Sequence, residues 1–143
     1  MDRFGLVVIG AHSGIWLTSL LEKYKEKNIL LVEPVPYNIQ LLRKNTSNYK
    51  NIKIETSAIS GKVGTQKFYF VKPESVKSLG KHWASGIGSF NKQHILNHKN
   101  KRFKVEDSDI EEIEIQYLTF LNLIEKYSIS TIDMLQIDVE GAE

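Results

Sequence analysis

The 143-residue chain contains no cysteine, which excludes a disulfide framework, a cysteine-ligated zinc site, an iron–sulfur cluster and a thiol nucleophile. It also lacks any long hydrophobic run. The apolar stretches at residues 4–11 and 29–32 fall far below the roughly 20 residues that span a bilayer. The start mimics a secretion signal only faintly, because Asp2 cancels Arg3 and no A-x-A cleavage site follows, and the first apolar run is expected to be a strand. What is present, 41% hydrophobic and 25% charged residues, suits one domain over 1–143 in a cytoplasmic setting, with no membrane partner.

Charge is unevenly spread. Residues 1–50 hold 7 basic against 4 acidic side chains, residues 51–105 hold 11 against 2, and residues 106–143 hold 1 against 11. The lysines lack interleaved aromatics, so the basic middle is read as a solvated or acid-facing surface, not a nucleic-acid site.

Two apolar runs, Gly5 to Gly10 and Ile29 to Val32, predict strands buried on both faces. Ser13 is expected to cap a helix whose apolar side is Trp16, Leu17, Leu20, Leu21 and Tyr24. Pro34 and Pro36 separate the second strand from a helix through Asn38, Leu41, Leu42 and Lys44. Ile52 to Ile59 reads as a third strand, Gln66 to Val71 as another, and Ile113 to Tyr117 alternates again. A helix with Leu118, Leu121, Leu123 and Ile124 on its apolar side leads to a buried strand, Ile132 to Val139. Between about 73 and 104 periodicity fades, the mark of a substrate-side or lid segment. The expected fold class is α/β, a Rossmann-like, mostly parallel sheet with helices on both faces.

In such sheets ligands bind beyond the carboxyl ends of the strands. Gly10, Gly14, Glu33, Ser57 and Asp138 stand there. The first turn, Gly10-Ala11-His12-Ser13-Gly14, departs twice from the nicotinamide fingerprint, with His at 12 and Ile at 15, and no Walker Gly-Lys-Ser/Thr follows. Its spacing suits the amino-acid end of S-adenosylmethionine instead, and Glu33 after the second strand is placed for ribose hydroxyls.

With Ser57-Ala58-Ile59, the segment Trp83 to Ser89, and above all the closing Ile132-Asp-Met-Leu-Gln-Ile-Asp-Val-Glu-Gly-Ala-Glu143, the chain resembles the FkbM family of S-adenosylmethionine-dependent methyltransferases. The resemblance implies a class I methyltransferase fold and O-methylation of a hydroxyl on a sugar, glycan or polyketide-like metabolite. Gly10, Ala11, His12, Ser13 and Gly14 would then meet the methionine end of the cofactor, Glu33 the ribose, and Pro34 with Ser57, Ala58 and Ile59 the adenine. Asp138 and Glu140 would stand at the methyl group, with Asp138 as base or polar anchor, and Trp83 and Ser89 on the substrate side. No metal site is expected; His94 and His98 are read as surface or lid residues.

Two positions depart from the family pattern. Val8 stands where members commonly carry an acid, and Gln136 where they tend to carry lysine. The domain is also expected to be partial, truncated after the fourth core strand, whose open edge would favour a homo-oligomer. The alternative reading is a non-catalytic Rossmann-like binding or assembly module. Cofactor binding sensitive to Glu33 separates the two.

Overall fold

A computed structural model describes residues 2–72, 74, 88–89, 92–96, 99–100, 103–104 and 107–138. In chain order the principal elements are β1 (Asp2–Ile9), α1 (Thr18–Tyr24), β2 (Asn28–Val32), α2 (Pro36–Asn45), β3 (Ile52–Glu55), β4 (Ala58–Ile59) and β5 (Gly64–Val71). Then come β6 (Gly88–Ser89), α3 (Lys92–Leu96), β7 (Lys99–Asn100), β8 (Phe103–Lys104), β9 (Ile110–Leu118), α4 (Phe120–Lys126) and β10 (Ile129–Ile137). The segment expected to be irregular, 73–104, lies largely outside the described residues. Among those residues no helix is long and apolar enough to cross a membrane.

The central sheet has the order β10-β1-β2-β3 and every pairing in it is parallel. Alternation along β2 sends Ile29 and Leu31 to one face and Leu30 and Val32 to the other. The first face packs on Leu17, Leu21 and Tyr24 around α1 and on Leu42 of α2. The second packs on Leu123 of α4, with Phe120 and Ile124 beside it. Helices on both faces cover the apolar side chains of the parallel sheet and make it a Rossmann-like α/β fold.

Gly5 sets the facing of β1. Phe4 and Leu6 pair with consecutive residues of β2, Asn28 and Ile29, so β1 carries one extra residue at Gly5. This bulge reverses the parity of the strand: Phe4 joins Val7 and Ile9 on the α4 face, while Leu6 and Val8 face α1. A Cβ at Gly5 would stand 2.7 Å from Cβ of Lys27, closer than packing allows.

A second sheet, β4-β9-β5-β6, is mixed. Strand β4 runs parallel to β9, whereas β9 is antiparallel to β5 over eight residue pairs from Gly64↔Tyr117 to Val71↔Ile110. Its core, Ala58, Phe68, Phe70, Ile115 and Tyr117, closes over Val35 at the exit of β2. Tyr37 fastens it there, its hydroxyl donating to the carbonyl of Val71 at 3.3 Å and its ring tilted against Phe70.

Several sequence expectations are corrected. The run 52–59 is not one strand: the chain bends at residues 56–57, where the N–H of Ser57 bonds back to Glu55, and β4 joins the second sheet. Ser13 does not cap α1. Gly14, at φ 83, instead starts a 3-10 turn over Ile15–Leu17 with no side-chain cap, which turns Trp16 outward, 77% exposed. On α4 the apolar side is Phe120, Leu123 and Ile124, while Leu121 faces solvent. Among the described residues strand β10 pairs only with β1 and lies at the edge, so Met134, Leu135 and Ile137 are exposed and the strand is not buried on both faces.

Candidate functional site

The carboxyl ends of β1, β2 and β10 converge. Leaving β1, the N–H groups of Gly10 and Ala11 donate to the carbonyl of Val32 at 2.9 and 3.0 Å. The chain then passes through left-handed conformations at Gly10 (φ 91), His12 (φ 53) and Gly14 (φ 83). Glycine adopts this region freely, whereas at a histidine it costs of order 1–3 kcal/mol and must be held by its surroundings. Gly14 has a second constraint, since a Cβ there would lie 2.8 Å from Cδ1 of Leu42 in α2. From the same helix, Nδ2 of Asn45 donates to the carbonyl of Ser13 at 2.7 Å. The turn is thus seated on α2.

Glu33, just past β2, is the group that holds His12. Only 1% exposed, its carboxylate accepts the N–H of His12 on Oε1 at 2.9 Å and the N–H of Val35 on Oε2 at 3.0 Å. The Asn38 amide approaches Oε2 at 3.4 Å. Burial pushes the Glu33 carboxyl above the ordinary range, and the neighbouring His12, the two N–H groups and Asn38 pull against that rise.

Asp138 enters from the other side. Its N–H donates to the carbonyl of Ile9 at 2.8 Å, which continues the β1–β10 ladder and sets the residue beside the glycine turn. The imidazole of His12 lies between two acids, Nδ1 3.7 Å from Oε1 of Glu33 and Nε2 3.7 Å from Oδ2 of Asp138. Glu33 is buried, whereas the Asp138 side chain is 65% exposed at the mouth. Among the described residues, no group of three or more acidic and histidine side chains is arranged as metal ligands.

The remaining expected residues are placed around this core. Val8 is fully buried in the apolar cluster against α1, so no charge stands at that position. Pro34 is half-buried, Ser57 and Ala58 are buried, and Ile59 is half-buried against the α4 face. Ser89 lies in β6, its Cα opposite that of Tyr69. Trp83 and Glu140 fall outside the described residues.

Sequence reading missed Glu55, the counterpart of Glu33 at the end of the neighbouring strand. The N–H of Glu33 donates to its carbonyl at 3.0 Å. Its own carboxylate accepts Lys126 Nζ and the Tyr127 hydroxyl on Oε1, both at 2.7 Å, and the N–H of Ser57 on Oε2 at 3.1 Å. Burial would raise its pKa, but these three bonds outweigh it and bring the carboxyl down to about 2. An acid closing an alternating strand and followed by Thr56-Ser57 was the available signal.

Comparison with curated proteins and with solved structures gave no match. The family model described as the methyltransferase FkbM domain does match, over residues 9–143. That span takes in the glycine turn, Glu33, Glu55 and Asp138. With the parallel sheet and its flanking helices, it settles the assignment: the chain belongs to the FkbM methyltransferase domain family.

Proposed function

We propose that this methyltransferase-family chain uses S-adenosylmethionine and methylates a hydroxyl on a sugar, glycan or polyketide-like metabolite. The observation that carries the reading is the glycine turn braced on buried Glu33, with Asp138 beside it. The residues present fit the donor. Among the described residues the N–H of Ser13 has no partner, so the turn offers a donor to the carboxylate of the methionine end. Glu33, at the exit of β2, would meet the ribose. Pro34 with Ser57, Ala58 and Ile59 would flank the adenine. Bound there, the cofactor supplies an electrophilic methyl group.

For the acceptor, the residues work by position: a hydroxyl oriented on Asp138 is held at the open mouth, and alignment supplies most of the acceleration expected of such a transfer. The absence of cysteine agrees with a cytoplasmic setting. The edge of β10, unpaired among the described residues and with Leu135 and Ile137 exposed on the strand, supports pairing with a second copy of the chain. Val8 favours the second reading, a non-catalytic binding or assembly module, because position 8 carries no acid.

The test is isothermal titration of S-adenosylhomocysteine, with NADH as comparison, followed by transfer of a labelled methyl group to a panel of methyl glycosides. Binding of S-adenosylhomocysteine and not NADH is the expected result. Failure of the wild-type chain to bind contradicts the proposal.

A further inference from the structure

We infer that His12 is the proton acceptor for the hydroxyl that is methylated, that Glu33 is the positioning residue that orients its ring, and that Asp138 is the anchor facing it. The inference rests on the methyl-transfer reading above and goes further by dividing the proton chemistry among three residues.

The geometry is that of an imidazole standing between two carboxylates, one buried and one at the mouth. Its backbone is fixed in a left-handed conformation by the bond from its own N–H to Glu33. A non-glycine residue kept in that region by a buried side chain points to function when it stands at a ligand-binding edge. Nδ1 faces the same buried oxygen at 3.7 Å, and Nε2 faces the exposed Asp138 carboxylate at 3.7 Å. The two separations are equal, but Glu33 is buried and Asp138 is open to water; we therefore give the Nδ1 proton to Glu33 and leave the Nε2 lone pair toward the mouth. Catalytic contacts of this length commonly tighten to hydrogen bonds when substrate binds.

The step balances as follows. The acceptor O–H bond breaks and its proton forms a bond with Nε2 of His12. The oxygen pair so released bonds to the methyl carbon of a sulfonium donor, and the carbon–sulfur pair returns to sulfur as a neutral thioether. The imidazolium then stands between two carboxylates, Glu33 from β2 and Asp138 from β10, which are the charged groups facing it among the described residues.

Long-range proton–nitrogen NMR at pH 8.5 tests this without an acceptor, with the His12 signals assigned by their loss in His12→Gln. Histidine in water prefers the proton on Nε2, so the expected finding, Nδ1 protonated and Nε2 bare, is a reversal of the ordinary preference. Glu33→Gln should restore the ordinary form. An Nε2-protonated ring in the wild-type chain overturns the inference, and it does so whether or not S-adenosylhomocysteine binds, which alone decides the reading it rests on. With a methyl glycoside that the chain methylates, His12→Gln should lower kcat by on the order of 10²–10⁴-fold and move KM for the donor far less. A change confined to KM would also overturn it.

Discussion

The ends of β2 and β3 carry the same side chain in the same kind of burial. Glu33 is 1% exposed and Glu55 3%, and one main-chain bond links the two residues. Their carboxyls are nevertheless driven in opposite directions. Glu55 takes an ammonium and a phenol from the end of α4, and its pKa falls to about 2. Among the described residues Glu33 receives no lysine or arginine; its partners are two backbone N–H groups, an amide and a histidine, and burial drives its carboxyl upward. A buried acid closed off by a fixed cation fastens the fold. One left with neutral donors and an imidazole, at the end of the strand beside a glycine turn, keeps capacity for chemistry.

The comparison predicts a large effect of Glu55→Gln on stability. Loss of charge-assisted bonds to Lys126 and Tyr127 should cost about 2–3 kcal/mol, read from the urea midpoint, with the glycine turn unaltered. Gly14→Ala comes next. The left-handed φ of 83 and the 2.8 Å approach to Leu42 predict a loss of roughly 1–3 kcal/mol, which sharpens the contrast because it disturbs the turn held by Glu33 and leaves Glu55 untouched.

Acid titration separates the two carboxylates by sign. Glu55 has a folded pKa below its ordinary value of 4.5, so its contribution to stability is complete above about pH 4.5 and is lost as pH falls toward about 2. Glu33 is raised, so its term favours folding below that ordinary value and weakens as pH rises through the raised one. Urea midpoints from pH 2 to 8 should therefore show Glu55→Gln removing an acid-side loss. Glu33→Gln should remove a decline on the alkaline side, and the same sign for both would break the comparison. The smallest effect is expected at the edge strand. Ile137→Lys, at a position 50% exposed, should change monomer stability by less than about 0.5 kcal/mol while weakening, in sedimentation velocity, the self-association proposed for this edge.

Much of this was legible in the sequence because it depends on local pattern. Continuous apolar runs marked β1 and β2, and Gly10, Gly14 and Glu33 were placed by their position after those strands. The pairings that give the residues their roles were not legible. Tyr127 reaches Glu55 across 72 positions, and His12 meets Asp138 only because β10 lies beside β1. Alternation across 52–59 hid the bend at Ser57, since a strand that changes sheet keeps its period on both sides. Gly5 was equally silent: a one-residue bulge reverses the facing of β1 without altering its composition. Trp16 misled because its helical spacing to Leu20 assumed α-helix from Ser13, where the chain makes a 3-10 turn.

The most direct test of the central claim is titration of S-adenosylhomocysteine into the wild-type chain, Glu33→Ala and Glu55→Gln, each checked for folding at the temperature used. Binding to the wild type, reduced at least about tenfold in Glu33→Ala and kept within about threefold in folded Glu55→Gln, is the predicted result. Equal losses in both variants, or none in either, would contradict the assignment of binding to one carboxylate and stability to the other.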